Sequence, residues 1–592
     1  MIAAIRRVQF LIVLLFVVVQ PVETPASAND TFSFQDNRTL NSGLIAEYAT
    51  PPFDELSRHV RIDSDVQFSW RKASPDLRIP KGLFRVTWQG TLSIPETGTY
   101  QLHLRVIGKA RLSIGNKNIV EGHASEMRWL QSGHLSLERG YHAFQLVFEK
   151  TEPTAEIGLY WQSNHFSLEP ITSQWFFHSS DTVQTKSDFE TGRQQIRSYR
   201  CAACHDLSPS RKSLPAPALE HVSDTLNSEW LSQWLKSPKT MDPETRMPSF
   251  DLSDAEIIAI SNYLKYVSTP VEGPSPDTNT GSVQQGREHF QSLGCLACHK
   301  AEEKGTRSLF GGGSLDRLAE KRPFSFLQPW LSNPAALNRS HRMPVFDLAD
   351  EEIADLSAYL YHRAADIPSS AQPSPDKANP ETNDTIAYGK KLLHELRCAA
   401  CHTIPGIRPP MLLPRLRIEA TSEIQGCLNS AKRSAKQPGF ELNPLKRKSL
   451  MLFIRGLPEQ HGLAGTYEWG RQLIQESNCL NCHSRGLESG LTIFSQEKDT
   501  GLPDLPEHVQ QRALSEAPSL NAIGDKFHTP VLQSLIQGGT TPHRPWLKIR
   551  MPRFRHSPEA LHAITDFFVR HDRLQLTESP LVKTAPRLPD KN

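Results

Sequence analysis

The sequence predicts a multidomain chain, with an N-terminal all-β sandwich followed by four mainly α units. Three observations carry this. At 592 residues the chain exceeds what one hydrophobic core supports. Residues 40 to 180 show a two-residue apolar rhythm, which belongs to strands. From about residue 185 the rhythm becomes helical, and one arrangement of cysteines, prolines and aromatics recurs four times.

The start of the chain is a targeting segment. Arg6 and Arg7 precede an apolar run from Phe10 to Val19, and Ala26-Ser27-Ala28 close it. A basic front, a short apolar run and small residues at the end predict a secretory signal over 1–28. No later stretch approaches the roughly 20 apolar residues of a spanning helix. The expected product is periplasmic or otherwise exported, and membrane-associated if the signal is kept. A formal net charge of +2 gives no pull toward nucleic acid, so none is expected as a partner.

Residues 29–180 form the predicted sandwich. Phe84, Val86 and Trp88 alternate with polar residues, as do Tyr100, Leu102, Leu104 and Val106, with turns at "PETG" (95–98) and "IGNKN" (114–118). The segments "GLIAEY" (43–48), "WQGTLSIPETGTYQLHL" (88–104) and "GYHAFQLVFEKTEPTAEIGLYW" (140–161) resemble the PA-fourteen family. That resemblance implies a carbohydrate as one partner. Sugar-binding members hold calcium through paired aspartates in a loop that aligns here with "VIGKARL" (106–112). No acidic residue stands there, which argues against calcium. A spacer or docking module is the other reading of the sandwich.

Eight of the nine cysteines fall in four pentapeptides: "CAACH" (201–205), "CLACH" (295–299), "CAACH" (398–402) and "CLNCH" (479–483). Each is the C-x-x-C-H attachment sequence for c-type haem. Two thiols bond the porphyrin vinyl groups, and the adjacent histidine turns its ring onto the iron. Cys201, Cys204 and His205 therefore predict one haem, and Cys295, Cys298 and His299 a second. Cys398, Cys401 and His402 predict a third, and Cys479, Cys482 and His483 a fourth. Four covalent haems are expected, each with one coordination position left for another side chain.

The repeat extends beyond the motifs. A glycine stands nine residues before each first cysteine: Gly192, Gly286, Gly389 and Gly470. Downstream come "RMPSF" (246–250), "RMPVF" (342–346), "KQPGF" (436–440) and "RMPRF" (550–554). An aromatic follows sixteen residues past the methionine or its replacement: Tyr263, Tyr359, Phe453 and Phe567. Helix, haem motif, loop, methionine and helix in this order resemble the class I cytochrome c family four times over. The predicted units are 185–268, 280–365, 380–458 and 462–575, with linkers rich in Pro and Ser between some of them and a disordered tail over 576–592. The family's distal ligand is a methionine just before a proline, which the resemblance assigns to Met247, Met343 and Met551. Trp234 and Trp330 are expected to wall haem pockets. The longer stretch between His483 and Met551 reads as a surface excursion.

In the third repeat Gln437 occupies the methionine's place. Met411 is expected on the proximal side, and Met451 falls within the closing helix. Lys432 and Lys436 could ligate only after losing a proton. Cys427 reads as an ordinary buried thiol. The third haem is therefore expected to lack a thioether. The functional expectation is electron transfer with redox proteins outside the cytoplasm, an electron carrier rather than an enzyme. The alternatives are an enzyme that uses the open haem on a small ligand such as peroxide, and adhesion to polysaccharide through the sandwich.

Overall fold

The computed structural model describes residues 31–32, 40–53, 58–76, 79–179, 184–207, 213–271, 281–301, 304–305, 308–365, 382–411, 413–414, 426–429, 436–455, 466–485, 517–538 and 549–573. The segments 1–28 and 576–592, the excursion over 486–516 and Lys432 lie outside these residues. Among the described residues no helix is long and apolar enough to cross a membrane.

The alternating residues of the N-terminal third all face inward. Phe84, Val86 and Trp88 are buried on strand Arg85–Ile94 and its approach, and Tyr100, Leu102, Leu104 and Val106 on strand Gly98–Ile114. Gly98–Ile114 joins the layers. Its first half pairs antiparallel with Glu156–Ser163, and its second half with Gly140–Glu149. Gly140–Glu149 pairs on with Arg85–Ile94, which pairs with Leu44–Ala49. Residues 106–112, read from sequence as a loop, are part of this continuous strand. Its register against Lys117–Gln131 shifts between Val106 and Gly108, where Gly108 takes a φ of 132°. A bulge takes up the extra residue there without ending the strand.

Among the described residues, eight helices of ten residues or more organise the rest. They are α1 (Gln184–Ser198), α2 (Asp254–Tyr266), α3 (Val283–Ser292), α4 (Asp350–Ala365), α5 (Asn383–Glu395), α6 (Pro444–Arg455), α7 (Thr466–Glu476) and α8 (Pro558–Asp572). Each repeat contributes one opening and one closing helix, and the two kinds cross at the repeated glycine. A Cβ at Gly286 would lie 1.9 Å from the Asp355 carbonyl oxygen and 2.7 Å from Tyr359 Cβ. The same happens at Gly470 against Ala563 and Phe567. Only glycine lets the backbones approach so closely. These crossings join α3 to α4 and α7 to α8, within the second and fourth repeats.

The first and third repeats are built differently. Gly192 of α1 meets Ser449 and Phe453 of α6, while Gly389 of α5 meets Ala259 and Tyr263 of α2. The opening segment of each is completed by the distal segment of the other. The contiguous units 185–268 and 380–458 expected from sequence are therefore exchanged in space. The two attachment motifs lie side by side: the backbone N–H of Ala216 in the first repeat donates to Cys401 O of the third motif at 3.2 Å, and that of Leu219 to Thr403 O at 2.9 Å.

The sandwich is not a free bead. Its core runs into that of the fourth repeat, where Ile474, Leu532, Leu561 and Phe568 join one apolar cluster with Trp88 and Phe148. A buried polar network crosses the junction. His571 of α8 lies 2.6 Å from Asp65 and 2.9 Å from Asp572, and Arg485 pairs with Asp572 at 2.7 Å. Arg570 also donates to Ser69 at 2.7 Å.

Candidate haem-attachment sites

Each opening helix ends on a residue with left-handed backbone directly before the first cysteine: Arg200 (φ 60°), Gly294 (95°), Arg397 (56°) and Asn478 (56°). The reversal stops the helix and starts a tight turn that carries both cysteines. For an arginine this conformation costs about 1–2 kcal/mol. The cost recurs at two motifs, which marks the turn as something the site requires.

Next to each motif the histidine is oriented by a backbone carbonyl. Nδ1 of His402 lies 2.7 Å from Pro217 O, that of His483 2.6 Å from Pro518 O, and that of His299 3.3 Å from Gly313 O. A proton on Nδ1 leaves Nε2 with its lone pair for a metal. At the first motif Pro414 supplies the matching carbonyl. It takes the backbone N–H of Asp206 at 2.9 Å, and His205 Nδ1 sits against it outside good hydrogen-bond geometry. Burial lowers the basicity of all four histidines and so keeps them in the neutral, ligating form. The exchange is visible here too, since His402 is held by Pro217 of the first repeat and His205 faces Pro414 of the third.

None of the eight motif cysteines is paired in a disulfide, and burial raises the pKa of each thiol, as expected beside an apolar body. A cavity of about 990 Å³ opens onto Cys201, Cys204, Cys298, Cys398 and Cys401 with their histidines, and onto Met247 and Met343. Thiol pairs, a neutral imidazole and a thioether around one apolar space are the donor set of a covalent haem, and the residues fit it.

On the distal side, the Trp234 indole N–H donates to Met247 Sδ at 2.9 Å, and that of Trp330 to Met343 Sδ at 3.0 Å. The tryptophans therefore act on the sulfurs and do not merely wall the pocket. Sequence spacing placed them, but only the geometry shows the hydrogen bond. Met551 is 51% exposed, unlike the other two. Met247 belongs with the third attachment motif. Cys398 packs in one cluster with Leu231, Phe250 and Tyr263.

Gln437 belongs with the first motif, which corrects the expectation that it faces the third. Cys201 packs with Phe440, Cys427 and Phe453 of the third repeat's distal segment. The reason is the exchange: the "KQPGF" loop leads into α6, and α6 crosses α1. Among the described residues, three alternative donors of that repeat, Met411, Met451 and Lys436, are committed away from a ligand position. Met411 is 94% exposed beside the proximal Pro414. Met451 is buried in α6, and the Lys436 ammonium pairs with Glu256 at 2.9 Å. Cys427 is not an isolated core thiol; it lies in the distal segment near Cys201.

The motifs themselves form two neighbouring pairs. Asn481 of the fourth motif donates to Ala297 O of the second at 2.7 Å, and Asn478 accepts from Ser308 at 2.7 Å. The first and third are joined by backbone hydrogen bonds, from Ala216 to Cys401 O at 3.2 Å and from Asp206 to Pro414 O at 2.9 Å.

Residues 40–172 match the family described as PA14 domain, and residues 189–268 and 283–363 the family described as Cytochrome c. A PA14 domain followed by cytochrome c domains is thus the architecture, and cytochrome c domains imply covalently bound haem and haem-based electron transfer. Over 138 residues the chain is 28% identical to anti-sigma-I factor RsgI3 of Acetivibrio thermocellus, covering 23% of this chain and 21% of that protein. Over 163 residues it is 26% identical to cytochrome c oxidase subunit 2 of Alkalihalophilus pseudofirmus, covering 24% and 46%. Among solved structures, an anti-sigma factor domain-containing protein from Clostridium clariflavum is similar at 20% identity and a TM-score of 0.21, covering 23% of this chain and 47% of that one. The chain spans less than half the length of each of these relatives.

Proposed function

We propose that the chain is an exported tetrahaem electron-transfer protein that passes electrons between redox proteins outside the cytoplasm. The observation that supports it best is the repeated donor set: two thiols on a tight turn beside an imidazole at all four motifs, with Nδ1 held by a backbone carbonyl at three of them. Three of the four haems take a thioether, from Met247, Met343 and Met551. A bound haem supplies reversible one-electron chemistry; the chain attaches it, orients the histidine and sets the sixth donor. The neighbouring motif pairs give electrons short steps from haem to haem.

The sandwich serves as a docking module in this reading. Its Asp65–Ser69 edge is committed to the fourth repeat through His571 and Arg570. Any carbohydrate would have to meet a different surface.

Intact mass and the reduced absorption spectrum of protein matured in a haem-attaching host test the proposal. Four haem increments that resist acid-acetone extraction are expected. Fewer than four, or extractable haem, would overturn the count.

A further inference from the structure

We propose that the iron held by Cys201, Cys204 and His205 is an open coordination site for a small uncharged diatomic ligand, with the haem on Cys398 and Cys401 as its electron-supplying neighbour. This rests on the haem reading above and adds the identity of the reactive site. In the linear order of the sequence the site would fall on the third haem. The exchange of segments moves it to the first.

The distal wall over Cys201 comes from the third repeat, whose methionine is replaced. Gln437 takes that position, and a carboxamide oxygen is a weak donor to ferrous iron. Among the described residues, Lys436 and Met411 are held elsewhere. The Lys436 ammonium is raised in pKa by its hydrogen bond to Glu256 and stays protonated. Met411 faces solvent, and Met451 is buried in α6 within the cluster around Cys201, two residues before the Phe453 that packs on Gly192. The other complete distal sites of the described residues each present a methionine. The motif adjoining this one is the third, completed by Met247 with its sulfur fixed by Trp234. A six-coordinate, thioether-bound haem therefore neighbours a haem with a replaceable sixth position.

Carbon monoxide is the probe, added to the reduced, full-length holoprotein. About one haem in four should bind it. Gln437→Met should abolish binding with four haems retained, and Met247→Gln should raise the stoichiometry from one to two. Both variants keep every attachment residue, so a folding failure shows as lost haem and is distinguished from a wrong assignment. In a complementary pair, the double change Cys201→Ala and Cys204→Ala should remove carbon monoxide binding, whereas Cys398→Ala with Cys401→Ala should preserve it. The reverse pattern would place the open iron on the third motif and overturn the proposal. So would binding that emerges only in Cys427→Ala, because the thiol would then be the sixth ligand. A wild-type haem count below four would instead refute the tetrahaem reading.

Discussion

Ser249 and Gly439 exchange two backbone hydrogen bonds, each 2.9 Å, across the first and third repeats. Val345 and Arg553 do the same between the second and fourth, at 3.0 and 2.8 Å. In every case the residue lies two positions past the distal methionine or Gln437. The ion pairs follow the same plan: Lys436 meets Glu256, and Arg550 meets Glu352 at 2.7 Å. The two pairs of repeats are thus built alike around back-to-back distal loops. One pair exchanges its opening segments and the other does not.

Removing one of these N–H donors should loosen one pair only. Ser249→Pro deletes the N–H that binds Gly439 O, at a cost of about 1–3 kcal/mol with the strain of the ring included. The expected result is a weakened thioether signature for the Met247 site with the Met343 site unchanged, and Val345→Pro should give the opposite. Equal losses at both sites in either variant would show that the loops are not independently paired.

The exchange of segments can be read spectroscopically through the helix-crossing glycines. A methyl group at Gly389 would lie 2.0 Å from Ala259 O, on the helix that follows Met247. Gly389→Ala should therefore cost one of the three expected thioether–iron signals, because overpacking against backbone costs about 1–3 kcal/mol and must displace α2. Gly192→Ala, 2.0 Å from Ser449 O, should leave all three intact, since its site has Gln437. Contiguous units would give the opposite result for the two variants.

That contrast also shows what the sequence could and could not disclose. The attachment motifs, the glycine and the aromatic are fixed by local chemistry, so their spacings were legible and each crossing was found where a glycine and an aromatic stand. Partner choice was not legible. Gly192 and Gly389 present the same surface, and Phe453 and Tyr263 answer it equally well. Which helix meets which is decided by connections and by neighbours such as Pro217 and Pro414, far away in sequence. The strand over 106–112 was missed for a related reason. Gly108 punctuates the chain like a turn, yet long-range pairing carries the strand through it.

The indole–sulfur hydrogen bonds should tune potential. A thioether sulfur has a second lone pair, and an N–H aimed at it withdraws density from the iron bond. This disfavours the ferric state more than the ferrous. Trp234→Phe keeps the ring but removes the donor to Met247, so that haem's reduction potential should fall while the Met343 haem holds. Potentiometric titration resolves the two. Met551, half exposed, should also be the thioether that added imidazole displaces first; preferential displacement at Met247 or Met343 would contradict this.

The junction between sandwich and fourth repeat should be sensitive to pH through His571. Burial alone would lower its pKa, but the Asp65 and Asp572 carboxylates raise it to about 9 against the opposing charge of Arg485. A group with a raised folded-state pKa contributes fully below its unfolded value, near 6.5, and loses that contribution as pH rises through the folded value. Stability should therefore decline between about pH 6.5 and 9, by at most about 3 kcal/mol for this group. At the acid end the sign reverses. Asp572 is held down to about 2 and Asp65 is also lowered, so their contribution disappears as pH falls below about 4. Thermal unfolding of the holoprotein across this range, compared with His571→Gln, isolates the effect. The variant should have a lower Tm at pH 6.5, and its Tm should change less between pH 6.5 and 9. Parallel curves for the two proteins would show that the imidazolium does not hold the junction.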